Sequence, residues 1–380
     1  EHTERNHRVL RLRDNKIKLC NMNISTSISN EYPDSKKPSG GYEWWYFDGM
    51  SDNGVWSFVI IFYEGNPFSP RYIHSSSKKE AKPGSYPAIS ISIYKEGKAE
   101  YYSFLEFKWD SFSCNREDFT IKIGKSGFKR SYENGELQYQ LNLDQILASG
   151  HSLVGTIEFS SAVFEEAGSS SVKEEMNEQH FWNLLQPMAG VKADFEINGR
   201  NGFENVSFNG SGYHDHNTGY EPMKDSFRDW YWGRFHFEKH TLLYYVMNKL
   251  NGSRQHEAWL IDHSEFNLNR TFKSIKLNDK ANTILNLPSY RKIRLEGDEV
   301  FASILLDNVI DNGPFYQRFL GKATLTIDGS EQTVTGIAEY IRPDRIYDKK
   351  YWWMINMRLN YTYSAPHWVQ NVKWLYERTW

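Results

Sequence analysis

The sequence predicts an all-β protein made of two barrels or sandwiches packed together, and three observations carry that prediction. Apolar and polar residues alternate strictly over 89–93, 137–143, 191–197 and 323–327, so each stretch buries one face of a strand. Asn-Gly or Asp-Gly pairs stand at 48–49, 53–54, 134–135, 198–199, 201–202, 209–210, 251–252, 312–313 and 328–329, and both residue types favour the positive φ of tight hairpin turns. Helical periodicity is confined to two short stretches, 174–185 and 366–380.

At roughly 100–200 residues per domain, 380 residues make two domains. Residues 1–38 are charged and polar, with Pro33, Lys36, Lys37 and Pro38 but no sustained period, and are expected to form a loosely held N-terminal arm. Residues 39–219 form the first domain and 220–380 the second, since Gly219, Pro222 and the charges beside them interrupt the strand pattern. The run 55–63 is too short to cross a bilayer. The aromatic run 351–354 is expected in the second-domain core, meeting the first domain.

Charge excludes a generic polyanion binder, because 45 Lys and Arg stand against 48 Asp and Glu. Hydrophobic residues make up 39% of the chain, yet 13 Trp, 24 Tyr and 23 Phe exceed what an ordinary core needs. Cys20 and Cys114 form no CxxC or Cys/His cluster, which argues against a disulfide framework or structural zinc and fits a reduced compartment. Asn-x-Ser/Thr patterns at Asn23, Asn205, Asn209, Asn251, Asn269 and Asn360 are compatible with a secretory route. The expectation is a cytoplasmic protein, with peripheral membrane contact left open.

Three segments carry side chains suited to chemistry. In 40–49 an extended chain turns Tyr42, Trp44 and Tyr46 to one side and Glu43, Trp45 and Phe47 to the other. Such a strand is either buried on both sides, or it lines a cavity for a long, flat, apolar ligand with one of its faces. The segment 210–222, continuing into 227–234 with Trp230 and Trp232, is the densest polar stretch. Extended, it places Tyr213, Asp215 and Asn217 on one face and His214 and His216 on the other.

Asp215 buried among rings would lose hydration of its charged form and act as a proton donor; the alternative is a turn-capping aspartate. His214 and His216 supply half a metal site only if His236, His240, His256 or His263 completes it, and otherwise they hydrogen-bond within the fold. The third segment, 179–189, sets His180 near Trp182, with core packing as the default. There is no GxSxG elbow, phosphate loop or dinucleotide fingerprint, so nucleotide and serine-hydrolase chemistry lose support.

On these residues the chain resembles the carotenoid 1,2-hydratase (hydroxyneurosporene synthase) family, two-domain lipocalin-like proteins whose relatives include natural-product Diels–Alderases. The matching motifs are 40–48 with 51–54, then 68–72, 185–189, and most strongly 212–222 with 227–234, while the second half matches mainly in β texture and in the stretch 336–340. The resemblance implies two lipocalin-like barrels with a ligand beside or between them, and cofactor-free addition of water to a terminal isoprenoid double bond. It maps a Tyr-x-Asp pair onto Tyr213 and Asp215, and a His-x-Trp pair onto His180 and Trp182. Thr218 stands where Trp is common in these relatives, which argues against a closely equivalent substrate.

Protonating an isolated alkene makes a tertiary cation, so a neutral acid in a dry pocket and π faces are required. Asp215, Tyr213, His180 and Trp182 are the expected catalytic residues, and Trp44, Trp45, Tyr46, His214, Asn217, Trp230 and Trp232 the expected substrate contacts. Neither metal nor other cofactor is expected, and the partner is an apolar isoprenoid or polyene rather than nucleic acid. A cyclase of the Diels–Alderase kind and a non-catalytic lipid or pigment carrier remain the other two readings.

Overall fold

Alternating strands and Gly-containing turns build two antiparallel meanders that curl into half-barrels and pack against each other. The computed structural model describes residues 21–34, 37–164, 179–281 and 287–380, and of 267–271 the backbone alone. The first sheet contains β1 (Met22–Ser25), β2 (Tyr42–Ser51), β3 (Trp56–Glu64), β4 (Ala88–Lys95), β5 (Lys98–Glu106) and β6 (Phe112–Asn115). It continues through β7 (Thr120–Ile123), β8 (Ser126–Glu133), β9 (Glu136–Ile146), β10 (Ser152–Ala162), β11 (His180–Gly199) and β12 (Gly202–Gly219).

The second sheet runs through β13 (Phe227–His236), β14 (His240–Lys249), β15 (Arg254–Asp262), β16 (Asn267–Thr271) and β17 (Ser274–Ala281). Its remaining strands are β18 (Ser289–Glu296), β19 (Val300–Asn312), β20 (Tyr316–Ile327) and β21 (Ser330–Ile341). β22 (Asn360–Tyr361) returns to the first sheet and pairs with β5. The spatial order is β22-β5-β4-β3-β2-β12-β11-β10-β9-β8-β7-β6 in one sheet and β16-β15-β14-β13-β21-β20-β19-β18-β17 in the other. Turn chemistry sets these registers: Asn134 and Gly135 at φ 54° and 85° close the β8–β9 hairpin, and Asp328 and Gly329 at 50° and 79° close β20–β21.

One apolar core fills the first barrel and continues across the seam to Phe227, Trp232, Tyr245 and Trp259; a second lies inside the other barrel around Phe235, Leu260 and Phe319. A buried ion pair crosses the seam, with Arg234 of β13 donating through Nε and Nη2 to Asp48 of β2.

Three expectations change, and one helix is new. The arm is held where it is described: β1 pairs in parallel with 180–183, and Glu31 and Lys37 are buried partners of Arg130 and Glu43. Of the helix expected over 174–185, residues 174–178 lie outside the described residues, and from His180 the chain is a 20-residue strand, because pairing on three strands overrides a weak local preference. The run 351–354 is not second-domain core: after α2 (Pro343–Ile346) it enters α3 (Trp352–Arg358), with Trp353 exposed and Met354 lining the space between the two sheets. A helix over Pro70–Ser77, α1, went unforeseen although its signals are local: Pro70 opens it and the Ser69 hydroxyl accepts from Tyr72 N at 3.2 Å.

The closing stretch does turn helical, in short pieces including Trp368–Asn371 and Lys373–Tyr376. Cys20 lies outside the described residues and Cys114 is a free thiol. Among the described residues no helix is long and apolar enough to cross a membrane.

Candidate active site

Period two sends alternate residues of β2 and β12 to opposite sides of the first sheet, and only one of those sides meets the second sheet. Tyr42, Trp44 and Tyr46 of β2, Trp182 of β11, and Asp215 and Asn217 of β12 face the seam, opposite Phe227, Trp230, Trp232, Met247 and Glu339. These residues enclose a cavity of about 540 Å³ including its open mouth. A larger one of about 910 Å³ adjoins it and shares Trp44, Tyr46, Trp230 and Glu339. Its far walls are Ile61, Tyr63, Phe104, Phe315 and Ile355, which makes a continuous, mostly apolar cleft between the barrels.

Asp215 sits 5% exposed at the inner end of this cleft. Its Oδ2 accepts from the Tyr213 hydroxyl at 2.6 Å and from Trp182 Nε1 at 2.7 Å, while Oδ1 accepts from Asn217 Nδ2 at 2.8 Å. Loss of hydration pushes the carboxyl up to about 7, against the pull of the Tyr213 and Trp182 donors and with a further push from the negative charges of Glu339 and Asp48. The group is thus divided between acid and carboxylate near neutral pH. Rings surround it: Trp232 lies 5.0 Å from Tyr213 and 5.4 Å from Tyr46, and Tyr245 meets Trp182 edge-on at 5.5 Å.

The second carboxylate of the cleft is Glu339, which sequence reasoning missed. Its Oε1 accepts from Tyr46 Oη at 3.2 Å, from Arg318 Nε at 3.1 Å and from the Tyr316 hydroxyl. Arg318 in turn donates to Tyr94 Oη across the seam at 2.8 Å. β21 delivers Glu339 opposite Trp232 of β13, a pairing no local motif announces.

The remaining expected site residues divide. Trp44, Tyr46, Asn217, Trp230 and Trp232 line the cleft. His180 does not: it stands behind Tyr42, whose hydroxyl meets its Nδ1 at 2.7 Å, and burial lowers its pKa. Gly219 makes room for that arrangement, since a Cβ there would sit 2.2 Å from the Tyr42 ring. Trp45 and His214 are corrections, for they point into the first barrel. His214 stacks on Phe47 at 3.9 Å with its Nε2 3.1 Å from Glu31 Oε1, and Trp45 stacks on His216 at 5.0 Å.

His216 meets Glu43 Oε1 at 2.6 Å, so each histidine of the His-x-His pair faces one carboxylate instead of a shared ion. Among the described residues no three His, Cys, Asp or Glu side chains gather as a metal site.

The sequence model of the carotenoid hydratase CrtC family matches residues 59–364. The chain belongs to this family. A hydroxyneurosporene dehydrogenase of Chlorobaculum tepidum is 28% identical over 85% of this chain and 88% of its own length. An acyclic carotenoid 1,2-hydratase of Rubrivivax gelatinosus is 25% identical over 77% of this chain and 67% of its own. Among solved structures, CghA with Sch210972 superposes with a TM-score of 0.57 at 11% identity, covering 86% of this chain and 97% of that one. A putative AttH protein of Nitrosomonas europaea gives 0.53 at 16%, covering 80% and 92%. At such identities the likeness is one of fold, and that fold is the two-domain lipocalin-like one.

Proposed function

We propose that this member of the carotenoid hydratase family adds water across a terminal C=C bond of an apolar isoprenoid or polyene, with Asp215 as the acid. The observation that carries the reading is a carboxyl group poised to about 7 inside an aromatic, mostly apolar cleft between two sheets. A long apolar chain lies along the cleft, its end against Tyr46, Trp182 and Trp232. The Asp215 O–H bond breaks as a C–H bond forms at the less substituted alkene carbon. The tertiary cation left on the other carbon faces π clouds and two carboxylates. Water forms the C–O bond, and Glu339 takes the proton that the resulting oxonium loses. Solvent exchange restores the two carboxyl groups, so alkene and water become tertiary alcohol.

The remaining side chains hold this arrangement. Asn217, Tyr213 and Trp182 fix the carboxyl plane by three donors. His180 is a positioning residue that acts through Tyr42, which stacks on Trp44 at 4.7 Å. Arg318 and Tyr316 hold Glu339 in place.

The test is turnover of an acyclic polyene with a terminal isopropylidene group in water enriched in heavy oxygen. The proposal expects one labelled oxygen per product and its loss in Asp215→Asn. A cyclised product without label identifies a cyclase, and a ligand released unchanged identifies a carrier; either overturns the hydratase reading.

A further inference from the structure

Four tryptophans are exposed among the described residues, and three of them lie within the last 28 residues of the chain: Trp353, Trp368 and Trp374, at 61%, 64% and 60% exposure. All three belong to one helical cap formed by α3, the turn Trp368–Asn371 and the turn Lys373–Tyr376. The cap is rigidly built. The buried Gln370 side chain donates to the carbonyls of Asn356, Met357 and Leu359 at the end of α3, and Arg358 grips Asp311 through two bonds of 3.0 Å. Among the described residues nothing covers the greater part of these three rings.

We infer that this cap is a docking surface for a lipid bilayer bearing anionic headgroups. Indole rings favour the boundary between headgroup and acyl chain, where the ring is buried and the N–H stays wet. Charge supplies the complement. Residues 342–380 hold seven Lys and Arg against three Asp and Glu in a chain whose net charge is -3, and the segment stays net positive with Arg358 turned inward to Asp311. Beside the cap runs a groove lined by Arg71, His74, Trp352, Tyr361 and His367, a guanidinium with N–H-bearing and aromatic rings around it, suited to a phosphate headgroup.

The cap is also a wall of the cleft. At about 100° per residue, Met354, Ile355 and Arg358 fall on the side of α3 away from Trp353, and all three line the larger cavity. One face of a short helix thus meets the proposed membrane while the other meets the apolar cleft, which sets the cleft next to the phase where a polyene dissolves. Trp109, the fourth exposed tryptophan, lies in a separate turn at 109–111 of the first domain and serves as an internal control.

Flotation of the intact protein with vesicles of phosphatidylcholine, alone and mixed with phosphatidylglycerol, tests the assignment without any turnover. The expected result is co-flotation with the mixed vesicles that weakens with salt. Each of Trp353→Ser, Trp368→Ser and Trp374→Ser should lower partitioning about tenfold, and Trp109→Ser should leave it unchanged. No flotation of the parent protein, equal flotation with phosphatidylcholine alone, or equal losses from Trp109→Ser would each overturn it. Should the substituted proteins melt early, quenching of the parent protein's tryptophan fluorescence by brominated lipid decides instead: quenching supports the surface and its absence rejects it. Asp215→Asn should float like the parent protein, so failure of the hydratase reading and failure of this one are separable.

Discussion

Trp182 on β11 donates its indole N–H to Oδ2 of Asp215 on β12 at 2.7 Å, one strand away and on the same face of the sheet. That oxygen also receives the Tyr213 hydroxyl. Donors to a carboxylate favour its ionised form, whereas burial favours the neutral one, and the pair of opposing effects leaves the group titrating at about 7. An acid buried without donors would be too weak to protonate an alkene; one with donors in open solvent would already have lost its proton.

Removing the Tyr213 hydroxyl alone should therefore weaken the acid while keeping it protonated to higher pH. In Tyr213→Phe the falling limb of the rate profile should move about one pH unit upward, and kcat should drop roughly tenfold or more. The parent limb should fall as pH rises through about 7, because the protonated form is the reactive one. A pH–rate profile of both proteins checks this, and an unmoved limb would detach Tyr213 from the acid.

The same carboxyl should cost stability. Unfolded, it titrates near 3.8 and folded near 7, so between those values the folded protein holds the extra proton and stability declines as pH rises. Above about 7 the full penalty applies, and Asp215→Asn relieves it, by as much as about 4 kcal/mol near pH 8. The variant should melt higher than the parent at about pH 8 and match it at about pH 3, below both titrations. Thermal unfolding at the two pH values decides; a variant less stable at both would show that the carboxylate is not strained by burial.

Much of this site could be read from alternation. Tyr213, Asp215 and Asn217 fall on one face because strands repeat every second residue, and the structure shows that face turned to the seam. Alternation does not say which face meets the neighbouring domain, and so Trp45 and His214 were placed with the substrate although they fill the first barrel. Glu339 lies in the matching stretch 336–340 but carries no local sign of a site role, since its surroundings come from β2 and β20 by sheet packing and strand pairing. The arm 21–34 showed no period because its hold is one short parallel strand and single polar contacts such as Glu31 with Arg130. Two barrels were legible because their turn residues and alternation agree with the pairing that forms.

If Glu339 receives the proton of the attacking water, Glu339→Gln should leave substrate binding within about threefold and lower kcat by about 100-fold or more. The cation still forms in that variant but is captured more slowly, so loss of a neighbouring proton should release an isomerised alkene beside the alcohol. Product analysis by mass spectrometry in heavy-oxygen water separates the two, since the alkene carries no label. An unchanged product ratio with a raised KM would reduce Glu339 to a binding residue.

The seam depends on the buried pair of Asp48 and Arg234, which are 0% and 1% exposed. Removing one partner leaves the other charged, buried and unpaired, so Asp48→Asn should cost about 3–5 kcal/mol. Replacing both, as in Asp48→Leu with Arg234→Met, removes the desolvation penalty along with the attraction and should cost less than the single change. Denaturant titration of the two variants gives the order. If the double variant is instead the less stable, the attraction across the seam exceeds the penalty of burying both charges, and the barrels are held together mainly by electrostatics. The opposite order would leave the apolar contacts of Tyr46, Tyr213 and Trp232 as the main cohesion of the cleft, with the ion pair fixing how the two sheets align.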